Sequence, residues 1–201
     1  FLICISINLK KTQQFMVYKP IIVVAGEPNS IFSEIFMKSL KFQRFRSPII
    51  LIASQKLIKL QMKKLNINKK IRKIDYLDLK NYQLDNKKIN LINVDFDQKK
   101  PFQKIFKKSN NFIRKSFKMA FKLIEKEKIN KLINGPISKK NFLGKKYLGI
   151  TEYISNNFLQ KNICMLIYNK KLSVAPITTH LPLKFVPKNI NHKKIVNKIN
   201  L

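Results

Sequence analysis

Ile21-Ile22-Val23-Val24-Ala25, followed at once by Gly26-Glu27-Pro28-Asn29, is the stretch on which the fold turns. Five consecutive apolar residues, four of them β-branched, suit a strand buried on both faces, as in a parallel sheet covered by helices. The Gly-Glu-Pro-Asn break ends that strand. Asn29 or Ser30 can cap a following helix, in which Ile31, Ile35 and Leu40 fall near helical spacing. The pattern then repeats: Ser47-Pro48 introduces Ile49 to Ala53 as a second buried strand, and Ser54 can cap a helix carrying Leu57, Ile58, Leu60, Met62 and Leu65. Such alternation is the signature of βαβ units, so the expected class is α/β, a mostly parallel sheet flanked by helices.

Further along, short strands are expected at Ile71 to Ile74 and Ile89 to Val94. Phe102, Ile105, Phe106, Phe112, Ile113, Phe117, Ala120, Phe121 and Ile124 recur at three- and four-residue intervals, which predicts a long amphipathic helix ending near Lys128. A basic amphipathic helix can lie on a membrane surface. Packing of its Phe face on the sheet is the favoured reading, because a strand (Ile129 to Ile133) and the turn Asn134-Gly135-Pro136 follow directly. Ser138 can cap a short helix beyond that turn. A helix is expected at Thr151 to Gln160, then strands at Ile163 to Tyr168 and Leu172 to Ile177, the second running into Thr178-Thr179-His180-Leu181-Pro182-Leu183.

The charge is extreme: 42 Lys+Arg against 10 Asp+Glu give a formal +32 on 201 residues. At face value this points to a polyanion partner. However, 38 of the cations are Lys and only four are Arg (Arg44, Arg46, Arg72, Arg114), with 30 Ile and 21 Asn alongside. The codons of Lys, Ile and Asn are A/T-rich, and nucleic-acid readers lean on the bidentate Arg fork. The lysines are also spread along the chain instead of forming one stripe. Base composition therefore takes precedence over a basic nucleic-acid-binding α/β module, which stands as the alternative function.

Cys4 and Cys164 lie far apart and in no metal-type spacing, which argues against a disulfide scaffold or structural zinc and for a reducing cytoplasm. Phe1 to Leu9 is apolar but has no preceding basic region and about half the length of a membrane span. Residues 1–15 read as an upstream extension or fragment artefact ahead of an α/β unit over residues 16–201.

Ligands of open α/β sheets bind beyond the carboxyl ends of the strands. Three segments stand out by that rule: Gly26-Glu27-Pro28, Asn134-Gly135-Pro136-Ile137-Ser138-Lys139-Lys140, and Thr178-Thr179-His180. The second could hold a phosphate on backbone N–H groups with Ser138, Lys139 and Lys140, or be a plain strand-to-helix turn in a Lys-rich chain. His180 is a candidate metal ligand or acid/base, and a structural histidine is the alternative. His192, in Asn191-His192-Lys193-Lys194, reads as solvated surface. Neither a Walker motif nor a G-x-G-x-x-G fingerprint occurs.

Taken together and in order, Gly26-Glu27-Pro28, Gly135-Pro136-Ile137-Ser138-Lys139, Gly149-Ile150-Thr151-Glu152 and Thr178 through Leu183 resemble the motifs of the 4-hydroxythreonine-4-phosphate dehydrogenase family. The resemblance implies an α/β dehydrogenase related to isocitrate and isopropylmalate dehydrogenases, incomplete at its C-terminus. It also implies a cytoplasmic homodimer that binds NAD without a Rossmann fingerprint. The implied reaction is oxidation of the secondary alcohol of 4-phosphooxy-threonine, followed by loss of CO2, in pyridoxal phosphate biosynthesis. A divalent metal (zinc, magnesium or cobalt) held by three histidines would assist, with His180 matching the first ligand. Ile150, Thr151 and Lys139 match the substrate-binding positions, no catalytic residue or NAD contact is assigned, and neither membrane nor specific nucleic acid is an expected partner.

Three departures accompany the match. Ile150 stands where the family has a histidine and cannot hydrogen-bond to substrate. Ser30 and Phe32 replace glycines expected after Pro28, which should crowd a close backbone approach. The chain stops before the other two metal histidines, so the expectation is a fragment of a longer protein or a degenerate member without a complete active site.

Overall fold

β1 (Ile21–Val24) pairs in parallel with β2 (Ile49–Ala53), Ile21 facing Ile49 and Val24 facing Ile52. The structure is a computed structural model, which describes residues 18–42, 44–104, 108–144, 146–158 and 163–201. The expected extension, Phe1 to Phe15, lies outside the described residues. The chain divides into two units, one ending at Phe142 and one from Leu143 to Leu201.

In the first unit β3 (Ile71–Lys73), β4 (Ile89–Asn93) and β5 (Leu132–Asn134) complete a five-stranded sheet of order β3-β4-β2-β1-β5, every pair parallel. Every residue of β2 is buried, as a strand covered on both faces requires. One face, with Val23, Leu51, Ala53 and Leu91, packs with Phe32, Phe36 and Met37 of α1 (Phe32–Phe42) and Ile58 and Met62 of α2 (Gln55–Lys64). α3 (Ser109–Glu127) lies against β1 and β2. Its Phe112, Phe117 and Phe121 are buried, so they form core and are available neither to a membrane surface nor to stacking on bases.

Several local expectations shift. Ile31 and Ile35 are 58% and 54% exposed, and the buried face of α1 is Phe32, Ser33, Phe36 and Met37. The larger aromatic rings win the sheet-facing stripe. α3 starts at Ser109 instead of Phe102, whose φ of 54° takes it out of the helix; Ile105 and Phe106 lie outside the described residues. Lys128 ends the helix in the left-handed conformation, φ 52°, and β5 is displaced from the expected Ile129–Ile133 to Leu132–Asn134. Ser54 caps α2 as expected, its Oγ accepting the Leu57 N–H at 3.4 Å.

The second unit carries α4 (Ile150–Asn157), a short α5 (Val186–Asn189) and α6 (His192–Ile199). The strands expected at Ile163–Tyr168 and Leu172–Ile177 reduce to one antiparallel bridge, in which Ile167 and Val174 exchange both backbone hydrogen bonds at 2.8 and 2.9 Å. A two-stranded ribbon without a third strand is marginal, and Leu166, Tyr168 and Leu172 stand exposed beside it. His180 consequently follows an irregular segment and not a regular strand. His192 sits exposed at the start of α6, with Asn191 Oδ1 accepting the Lys194 N–H at 2.9 Å. No described helix is long and apolar enough to cross a membrane.

Candidate functional site

Because β1 and β5 are parallel neighbours, their carboxyl ends bring Gly26-Glu27-Pro28 against Gly135-Pro136. The Gly135 N–H donates to Val24 O at 2.7 Å, and the Glu27 N–H donates to Pro136 O at 2.8 Å. A Cβ on Gly26, whose φ is 73°, would stand 2.5 Å from Pro136 O. Both glycines are therefore demanded by backbone contact. Phe32, at a position where the resemblance implies glycine, is buried against Gly135 and stacks on Phe36 at 5.5 Å between centroids. Ser30 contributes a cap, its Oγ accepting the Phe32 N–H at 3.3 Å.

Glu27 is only 2% exposed, and its Oε2 accepts the Ser109 hydroxyl at 2.9 Å, tying the β1 turn to the first turn of α3. Burial pushes its carboxyl above the ordinary value of 4.5, against the opposing pull of the Ser109 hydroxyl and the Asn29 backbone N–H. Asn29 and Gln98 exchange side-chain amide bonds at 3.0 and 2.7 Å, and Gln61 Nε2 donates to Pro28 O at 2.8 Å. The cavity beside Glu27, Ser33 and Gln61 has room for about one water. The interior of this turn is thus closely packed.

A raised carboxyl value favours folding in the protonated form. That contribution is fully present below the unfolded value and is lost as pH rises through the folded one. Glu27→Gln keeps an oxygen that can accept from Ser109 and removes the ionisation. Thermal melts at acid and alkaline pH should show the variant gaining stability over the parent above 4.5, with the gap closing in acid. A gap independent of pH would show that Glu27 does not titrate with folding.

The turn after β5 behaves as a strand-to-helix turn. Ser138 Oγ accepts the Asn141 N–H at 3.3 Å, opening the single wide turn Lys139–Leu143, while the side chains of Lys139 and Lys140 are exposed.

In the second unit the remaining expected residues converge. Gly149 caps α4 with extended backbone, and Ile150 and Thr151 form the first turn of that helix. A Cβ on Gly149 would lie 2.8 Å from Glu152 Oε2 and 3.7 Å from His180 Nε2, so the bare glycine opens a small cradle between a carboxylate and an imidazole. His180 is exposed and held at φ 58°, a conformation that costs free energy for a residue with a Cβ. Glu152 Oε2 is buried without a hydrogen-bond partner. Ile150, Thr151 and His180 are therefore gathered at one helix end, while Lys139 belongs to the first unit. Sequence reasoning does not mark Glu152 as a site residue. The signal for it is a carboxylate in a first helical turn of an acid-poor chain.

A five-stranded parallel sheet flanked by helices, with loops of interest beyond its carboxyl ends, defines an open α/β fold, the class in which ligands bind at that edge. The family model for pyridoxal phosphate biosynthetic protein PdxA matches residues 44–201, and the chain belongs to that family. It is 31% identical over 182 residues to a 4-hydroxythreonine-4-phosphate dehydrogenase from Sulfurihydrogenibium sp. (strain YO3AOP1), covering 89% of this chain and 55% of that protein. A protein of the same name from Aquifex aeolicus (strain VF5) is 36% identical over 77 residues, 36% of this chain and 23% of the relative. The crystal structure of a 4-hydroxythreonine-4-phosphate dehydrogenase from Burkholderia phymatum superposes with a TM-score of 0.77 at 20% identity, covering 90% of this chain and 56% of that one. The counterpart from Klebsiella pneumoniae gives 0.76 at 21%, covering 92% and 57%. At its fullest match the chain spans little more than half the length of these relatives.

Proposed function

We propose that this chain supplies part of the active site of a cytoplasmic, homodimeric, NAD-dependent 4-hydroxythreonine-4-phosphate dehydrogenase. The substrate would be 4-phosphooxy-threonine, oxidised at its secondary alcohol and then decarboxylated. The observation that carries the reading is the convergence of Thr151 and His180 at Gly149 in a chain of this family.

The cradle fits a divalent cation on two counts. It presents an imidazole nitrogen, and it presents a buried carboxylate oxygen with no partner of its own. Among the described residues no group of three or more His, Cys, Asp or Glu comes together, so His180 and Glu152 would fill at most half of a four-coordinate shell. A cation bound there would supply Lewis-acid polarisation of the substrate oxygen. The chain's own residues bind and orient. Thr151, at the N-terminal turn of α4, offers a hydroxyl to substrate oxygens. In the first unit, the exposed Lys139 is by itself a point charge suited to a phosphate. Ile150 offers only apolar contact and excludes water.

The intact gene product, supplied with cobalt, zinc or magnesium, NAD and 4-phosphooxy-threonine, is expected to generate NADH absorbance together with CO2. Failure with all three metals, in protein shown to be folded, would overturn the reading.

A further inference from the structure

Two roles are open to Glu152 in the cradle, direct ligand to the cation or partner to the His180 ring. Glu152 lies in the first turn of α4, where the exposed N–H groups of the helix favour a carboxylate. Its Oε2 is nevertheless buried and unpartnered, and no described ion pair includes it, in a chain with 38 lysines. A buried carboxylate oxygen left unpaired is costly, so a donor is expected to face it.

The ring of His180 is a side-chain donor at the same cradle. Its Nε2 lies 3.7 Å from the point in front of Gly149 to which Glu152 Oε2 comes within 2.8 Å, and the ring is exposed enough to turn. A side chain at 149 would stand in that gap, which accounts for a glycine at a position whose extended backbone does not itself require one. A metal-bound imidazole ordinarily donates its other ring N–H to a carboxylate or carbonyl, which fixes its tautomer and its aim.

We infer that Glu152 is a positioning residue for His180: its carboxylate accepts the Nε2–H and leaves Nδ1 to face the cation. The inference rests on the reading of His180 as a metal ligand, and the test separates the two. Cobalt affinity of the intact protein is measured by calorimetry for the parent, Glu152→Ala, Glu152→Gln and His180→Ala. In parallel, the ring N–H proton of His180 is sought by nuclear magnetic resonance. An exposed ring N–H exchanges with water too fast to be seen unless it is hydrogen-bonded, and loss of the signal in His180→Ala assigns it.

Glu152→Ala is expected to weaken cobalt binding about 10- to 100-fold and to abolish the resonance. Glu152→Gln, which keeps an acceptor oxygen, should fall between Ala and parent on both readouts. If Glu152→Ala leaves cobalt affinity unchanged while His180→Ala destroys it, the inference is wrong and the ligand reading stands. The inference is equally wrong if Glu152→Ala changes only the apparent affinity for substrate. If His180→Ala itself leaves cobalt affinity intact, both fall together.

Discussion

Gly135→Ala is expected to destabilise the first unit by about 3–5 kcal/mol, at or beyond the upper end of what overpacking normally costs. The new Cβ would stand 2.1 Å from Ala25 O and 2.7 Å from Phe32 Cδ2. The first of these atoms cannot give way. Ala25 directly follows β1, and the flanking bonds from Gly135 N–H to Val24 O and from Glu27 N–H to Pro136 O hold the two strand ends together at 2.7 and 2.8 Å. Relief would require β5 to part from β1, with loss of those bonds and of the burial of Phe32. With total stabilities of about 5–15 kcal/mol, such a loss leaves little folded protein. Gly144→Ala is the control: Gly144 also has a positive φ, 58°, but nothing lies within 4 Å of its would-be Cβ. Only the left-handed penalty of about 1–2 kcal/mol should appear there. Urea titrations of both variants separate backbone clash from backbone conformation, and equal losses would refute the steric argument.

The strands at the centre of the sheet were legible because burial on both faces leaves no room for polar residues, so Ile21–Val24 and Ile49–Ala53 announce themselves. α3 was legible for the opposite reason, since a helix buried on one side must repeat its apolar residues every three or four positions. What the pattern left open was competition between similar residues. Ile31 and Ile35 keep helical spacing as well as Phe32 and Phe36 do, and only the packing against Gly135 and the sheet decides between the two stripes. The bridge at Ile167 and Val174 failed to extend for a related reason: β-branched composition does not supply the neighbour a strand needs. At the candidate site, the motif picked out His180 and Thr151, but the pairing of Glu152 with the Gly149 cradle depends on the path of α4 and of the segment reaching His180. No spacing rule connects positions 149 and 180.

His180→Ala should separate function from stability more sharply than any other change in the chain. The imidazole is exposed, and both residues carry a Cβ at φ 58°, so the backbone penalty is common to parent and variant. Folding stability should therefore stay within about 0.5 kcal/mol, the range of ordinary surface substitutions. On the proposed reading of His180 as a ligand, affinity for a divalent cation should by contrast fall more than about 100-fold in the intact gene product, since loss of a ligand exceeds the 10- to 100-fold cost of losing a group behind one. NADH formation should fall with it. A strained, solvent-facing residue that adds nothing to stability has little structural reason to persist, and backbone strain of this kind is characteristic of binding sites. His180→Gly sharpens the contrast, since it relieves the left-handed strain at the expense of a more flexible unfolded chain. Its melting temperature should be no lower than that of His180→Ala, while cobalt binding should be equally lost. Should either variant unfold instead, His180 would be a structural histidine and the cradle at Gly149 a packing feature.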